Sequence, residues 1–238
     1  MDGGGVGVSG FVEALAAAPV PVIAEVKARD SGGRDLLGGR GPAEVADAYR
    51  EAGAPCLSVV TGSWFGGTVE MLRAVREVSG VPLLQKDFLT RERHLRRAAE
   101  LGVSAVLLTA QLLPVSVLRS LTERALLLGL TPFVEVVSEE EIADVAHPAE
   151  CVIAVNNKDI RTGERGDGDL ARSLRLSEAV LATGTRCAVS ASGVGTPADA
   201  AALLSAGYSG LLVGTALLDA VRPASWFAEV AGMTGAVR

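Results

Sequence analysis

Lysine is the scarce cation of this chain. Of 22 basic residues only three are lysine, Lys27, Lys86 and Lys158, and each falls at or just past the end of a short apolar run. A lysine ammonium is compact and gives up its proton readily when desolvated, so it can do acid–base work that arginine cannot. Glu25 stands two residues before Lys27, Lys86-Asp87 closes the third run, Glu135 interrupts the fifth, and Asn156 precedes Lys158 by two. Residues two apart on a strand face the same way. Glu25 and Lys27 therefore share a side, as do Ser190 and Ser192, and a barrel interior is the natural side for both pairs. Three ammonium groups beside two carboxylates suit proton transfer on an anionic substrate. The bland alternative is three strand-end lysines paired with nearby acids.

A second signal lies near the C-terminus. Ser192-Gly193 follows the seventh run and Gly214-Thr215 the eighth, each just ahead of helix-forming sequence. Small residues there let backbone N–H groups approach an anion, and phosphate sites after strands seven and eight are frequent in eight-stranded α/β barrels. One glycine pair alone would mean only a tight turn; two at these positions point to a small phosphorylated substrate. No metal or redox cofactor is implied. Cys56, Cys151 and Cys187 head apolar runs without any Cys-x-x-Cys spacing, so they read as buried small hydrophobes. His94 and His147 lie in polar stretches that read as helical surface, poorly placed for a zinc site or a nucleophile–histidine triad.

These residues need elements to hold them. The runs are Val22–Lys27, Leu57–Thr61, Val81–Phe88, Ala105–Thr109, Pro132–Val137, Val152–Asn157, Ala188–Ser192 and Leu211–Thr215. Between them recur stretches of helical period: Ala43–Ala52, Thr68–Val78, Arg91–Leu101, Val117–Leu128, Glu139–Ala146, Leu170–Ala182 and Pro197–Ala206. Ser138 with Glu141 predicts a capping box, and Thr196-Pro197 a capped helix start. Gly53, Gly102, Gly129 and Gly207 fall where helices should stop. Eight such units predict a closed, parallel (β/α)8 barrel as one domain over residues 1–238. A doubly wound open sheet is the competing layout, but no run here is followed by Gly-x-Gly-x-x-Gly. The Gly-rich loop Arg29–Gly41 reads as a mobile lid, and Arg161–Asp169 as a second polar loop.

Composition narrows the function further. The 238 residues are 49% apolar, carry a net charge of −6, and suit one large core rather than a disordered chain or a disulfide-stapled one. Nucleic-acid binding is disfavoured, since a clustered basic face is missing. No apolar run is long enough for a membrane span. Met1–Gly10 lacks a basic region of the secretory kind, so a cytoplasmic location is expected. No oligomeric state is read from the sequence.

Taken in order, Ile23-Ala24-Glu25-Val26-Lys27, Gln85-Lys86-Asp87-Phe88, Val134-Glu135-Val136, Val155-Asn156-Asn157-Lys158-Asp159, Ser190-Ala191-Ser192-Gly193 and Val213-Gly214-Thr215 resemble indole-3-glycerol phosphate synthase. The likeness runs from about Phe11 to Leu218 and implies a barrel of the ribulose-phosphate-binding type with a shortened N-terminal extension. It also implies a carboxy-lyase of tryptophan biosynthesis. The family cyclises 1-(2-carboxyphenylamino)-1-deoxyribulose 5-phosphate to indole-3-glycerol phosphate, with loss of carbon dioxide and water. By motif, Lys86 is the implied general acid, Glu25 holds and polarises the lysines, Glu135 handles the ring proton, and Asn156 orients the substrate. Lys27 anchors the phosphate with Ser192, Gly193, Gly214 and Thr215, and assists dehydration. Phe88 and Leu107 wall the aromatic ring, with Lys158 and Ser190 also contacting substrate.

Four positions depart from the family pattern. Ala191 stands where an acid is usual, and Asp30-Ser31-Gly32 replaces Ser-Pro-Ser in the first loop. Lys158 stands for an arginine, losing a bidentate fork. The N-terminal helical extension that helps close the family's pocket is cut down to Gly10–Ala18. These departures leave two other readings beside the standard reaction: a divergent paralogue acting on a related N-aryl amino sugar phosphate, and a catalytically silent phosphate-binding barrel. Phosphoribosylanthranilate isomerase fits less well, for want of its Cys/Asp pair.

Overall fold

Parallel strands covered by helices are buried on both faces, so they read as continuous apolar runs. The computed structural model, which describes residues 10–160 and 168–235, turns these runs into β1 (Val22–Val26), β2 (Cys56–Val60), β3 (Leu83–Lys86), β4 (Ala105–Thr109), β5 (Thr131–Val136), β6 (Val152–Asn156), β7 (Cys187–Ala191) and β8 (Gly210–Val213). All pair in parallel with their neighbours, and β8 closes on β1. The strands end earlier than the apolar runs. Lys27, Asp87, Phe88, Ser192 and Gly214 therefore sit in the turns above the sheet, where the chain leaves its extended conformation.

The helices are α1 (Gly10–Ala17), α2 (Pro42–Glu51), α3 (Val69–Ser79), α4 (Glu92–Glu100), α5 (Val115–Leu127) and α6 (Glu139–Ala143), then α7 (Leu170–Ala182), α8 (Pro197–Ser205), α9 (Thr215–Asp219) and α10 (Pro223–Gly235). Thr196 caps α8 through a reciprocal pair with Asp199, as the sequence suggested. At α6 the box is skewed: Ser138 Oγ accepts from Glu141 N–H, but the Glu141 carboxylate accepts from Val137 N–H. That helix also stops at Ala143, short of the expected Ala146. His147, just before Pro148, takes a left-handed conformation (φ 52°), and a residue ahead of proline is disfavoured in the right-handed helical region, so His147 lies on a turn rather than a helix.

Alternation along the strands divides the core in two. Ala24, Val26, Leu57, Val59, Val106, Leu108, Ile153 and Val155 face outward under the helices. Ile23, Cys56, Leu84, Ala105, Leu107, Phe133, Val152, Ala154, Cys187, Val189, Ala191 and Leu212 fill the barrel interior. Phe11, Val12 and Leu15 of α1 join the interior set, and the Phe11 carbonyl lies 3.5 Å from Cys56 Sγ at the start of β2. The short N-terminal helix thus plugs the N-terminal end of the barrel, opposite the mouth. It does not help close the substrate pocket, as its equation with the family's extension implied.

The three cysteines are free and buried, and burial pushes the Cys151 and Cys187 thiols up to about 12. Trp226 and Phe227 of α10 pack edge to face in the outer core. No helix among the described residues is long and apolar enough to cross a membrane. Of the two loops singled out in the sequence, Arg161–Asp169 falls almost wholly outside the described residues. The other, Arg29–Gly41, makes contacts within itself and across to α9 and its neighbouring residues. Arg34 binds Asp30 and forks onto Asp219 of α9 at 3.0 and 2.9 Å, while Arg40 donates to the Leu36, Leu37 and Leu218 carbonyls.

Candidate active site

At the C-terminal mouth the interior layer becomes polar. Glu25, Lys27, Lys86, Glu135 and Asn156 are all buried. Glu25 lies between two ammonium groups, 3.4 Å from Lys27 Nζ and 3.6 Å from Lys86 Nζ. Burial alone would push its carboxyl up, but Lys86 and Lys27 more than offset this and hold it below the ordinary carboxylate range. Glycine at 214 makes room for it, since a Cβ there would stand 2.7 Å from Glu25 Oε1. Across the barrel, Asn156 Nδ2 donates to Glu135 Oε1 at 2.8 Å, and Asn156 Oδ1 accepts from Lys158 N–H at 2.9 Å. Asn156 therefore fixes both a carboxylate and the turn that carries the third lysine.

Two recesses open on this layer. One, of about 400 Å³, is lined by Glu25, Lys27, Lys86 and Lys158 together with Ser192, Gly193, Gly214, Thr215 and Asp219. Ser192 and Gly193 are successive left-handed residues (φ 67° and 76°), a curvature that turns backbone N–H groups toward an anion. Asp219 is already bound to Arg34. Asp30, which stands in the first loop where the family pattern has Ser-Pro-Ser, is bound by the same arginine and held below its usual range by it. With Asp219 taken up by Arg34, three ammonium groups line this recess with Glu25 as the carboxylate among them, a balance that suits a multiply charged anion.

The other recess is mainly apolar, lined by Val60, Trp64, Phe65, Phe88, Leu107 and Ile160 together with Lys86, Asp87 and Glu135. Lys27 Nζ lies 5.4 Å from the Phe65 ring centroid. Asp87 accepts from Phe88 N–H and from Thr61 Oγ1, both at 2.8 Å, which sets the turn that follows Lys86. Lys86 lines both recesses.

One expected substrate contact fails. Ser190 does not face the interior with Ser192. It is fully buried behind the sheet, where its hydroxyl accepts from Asn157 Nδ2 and lies 2.7 Å from Ser173 Oγ of α7. The interior position on β7 is Ala191, which pairs in register with Asn156 and Leu212. Ser192 lies beyond the strand in a left-handed turn, so the two-residue count does not carry across. Asn157, which the sequence reading passed over, organises this region. Its Nδ2 also donates to the Ala191 and Ser192 carbonyls, and its Oδ1 accepts from Ser173. Trp64 was passed over as well; its only sequence signal is the glycine bracket Gly62, Gly66 and Gly67. Among the described residues no group of three or more His, Cys, Asp or Glu side chains converges as a metal site would require.

A family model described as indole-3-glycerol phosphate synthase matches residues 7–227. Proteins of that name are similar over most of their length. The Pyrococcus furiosus protein is 35% identical over 86% of this chain and 88% of its own. The one from Mycolicibacterium smegmatis is 38% identical over 89% and 76%, and that from Acinetobacter baylyi 32% over 95% and 83%.

Proposed function

The chain belongs to the indole-3-glycerol phosphate synthase family, and on that premise we propose that it cyclises 1-(2-carboxyphenylamino)-1-deoxyribulose 5-phosphate to indole-3-glycerol phosphate, releasing carbon dioxide and water. The observation that carries the reading is the position of Lys86. It lines both a cationic recess suited to a phosphate and an apolar one whose walls suit a ring, where the ketone joining those two halves of the substrate is placed. The phosphate occupies the cup of Ser192, Gly193, Gly214 and Thr215, with Lys27 and Lys158 as counter-charges. The ring lies against Phe88 and Leu107.

The bond changes then follow. The ring carbon bearing the carboxylate attacks the ketone carbon, and Lys86 protonates the oxygen as it becomes a hydroxyl. Carbon dioxide leaves and returns its bonding pair to the ring. Lys27 assists departure of the hydroxyl as water, and Glu135, oriented by Asn156, takes the proton whose loss completes the indole. These ionic steps call for no metal or redox cofactor. Three free, buried cysteines favour a reducing compartment, in keeping with a cytoplasmic enzyme.

The direct test is to supply this sugar phosphate and follow indole fluorescence, with calorimetric titration alongside. Turnover is the expected result; binding without turnover would favour the silent barrel. Ala191 supports a second reading, a paralogue acting on a related N-aryl amino sugar phosphate, because the residue faces the interior beside Asn156 where an acid is usual in the family. Since one proton-transfer group contributes about 10²- to 10⁴-fold, Ala191→Glu is expected to raise kcat on the standard substrate. An unchanged or lower kcat in that variant would mean that the alanine serves a different ring or sugar.

A further inference from the structure

Resting on the reading above, we infer that Trp64 is a specificity-determining residue, the outer wall that receives the aromatic ring of the ligand. Trp64 sits on the single turn Ser63–Phe65 after β2 and is 52% exposed, yet its ring is not free in solvent. It stacks on Phe88 with centroids 4.5 Å apart and planes 18° from parallel, and meets Phe65 edge on at 6.4 Å. Leu107, Lys86 and Glu135, the groups that a reacting ring must reach, line the same recess as this stack.

The recess as it stands holds only about 20 Å³ of free space, whereas a cavity that takes up benzene measures about 150 Å³. A ring therefore enters only if a lining group moves. Val60, Phe65, Lys86, Leu107 and Glu135 are buried and Asp87, Phe88 and Ile160 half-buried, whereas Trp64 is the most exposed of the lining groups. Its turn is bracketed by glycines. A Cβ on Gly62 would meet the indole at 2.8 Å, and Gly66 takes a left-handed φ of 69° that lets the chain turn sharply back. Trp64 thus rests on Phe88 in the free protein, moves outward to admit a ring, and packs on that ring from the solvent side.

Two ligands separate this proposal from the reading beneath it. One is the substrate with its ketone reduced to an alcohol, which keeps ring and phosphate but cannot cyclise; the other is ribitol 5-phosphate, which lacks the ring. By calorimetry, Trp64→Ala is expected to weaken the aryl ligand by about tenfold and leave ribitol 5-phosphate within about twofold, with Trp64→Phe restoring most of the loss. In turnover, KM should rise by more than kcat falls. Emission of Trp226, then the only indole of the chain, reports that the variant has folded. Unchanged or tighter aryl binding in Trp64→Ala, or equal losses for both ligands, would overturn the role of Trp64 and leave the proposed reaction standing. Failure of the native protein to bind either ligand would overturn both.

Discussion

Lys86→Ala is expected to lower kcat for ring closure by about 10²- to 10⁴-fold, the usual contribution of a positioned proton donor. The fold should survive the change, because Glu25 keeps its contact with Lys27 at 3.4 Å and the truncated side chain opens onto an existing recess. The loss should fall mainly on kcat, since proton donation to the ketone oxygen is an interaction made as the bond forms. Stopped-flow or steady-state indole fluorescence reads the rate, and calorimetry with the reduced substrate shows whether binding persists. Full activity in Lys86→Ala would remove the assigned acid.

Glu25→Gln should damage both activity and stability. The native carboxylate lies against two buried ammonium groups, and an amide of the same shape removes the negative charge that both share. Breaking a buried ion pair from one side costs about 3–5 kcal/mol. For a chain of this size that corresponds to a fall in Tm of roughly 6–20 °C. The pH dependence has a definite sign. Lysine contact holds the folded carboxyl below its ordinary 4.5, so its contribution is present above that value and is lost as pH falls through the depressed one. Native protein should lose stability over this acid interval, and Glu25→Gln should lack that component. Thermal melts across the acid range check both parts; a variant as stable as the native protein would mean that the two lysines do not depend on Glu25.

Much of this architecture is legible in the residues because the physics is local. A strand buried on both faces must be apolar throughout, so Glu25, Lys86, Glu135 and Asn156 stand out as interruptions, and each proves to face the interior. Glycines at 53, 102, 129 and 207 mark helix ends because their backbones take positive φ. What escaped the sequence depends on geometry beyond one element. Ser190 was set inside by counting back from Ser192, but the left-handed turn at Ser192 breaks the period of two. The loop at Arg29–Gly41 looked loose because its anchor, Asp219, lies 185 residues from Arg34. Helical period cannot tell which end of a barrel α1 will cover. Trp64 occupies a single turn, too short to show any periodicity.

The central claim is that one buried layer of lysines and carboxylates joins a ring carbon to a ketone and expels the carboxyl group. The most direct measurement follows carbon dioxide and indole-3-glycerol phosphate together as the native enzyme consumes the carboxyphenylamino sugar phosphate. Equal molar amounts of the two products, rising in step, are the predicted result. Carbon dioxide without indole, or substrate recovered intact from a saturated enzyme, would contradict it.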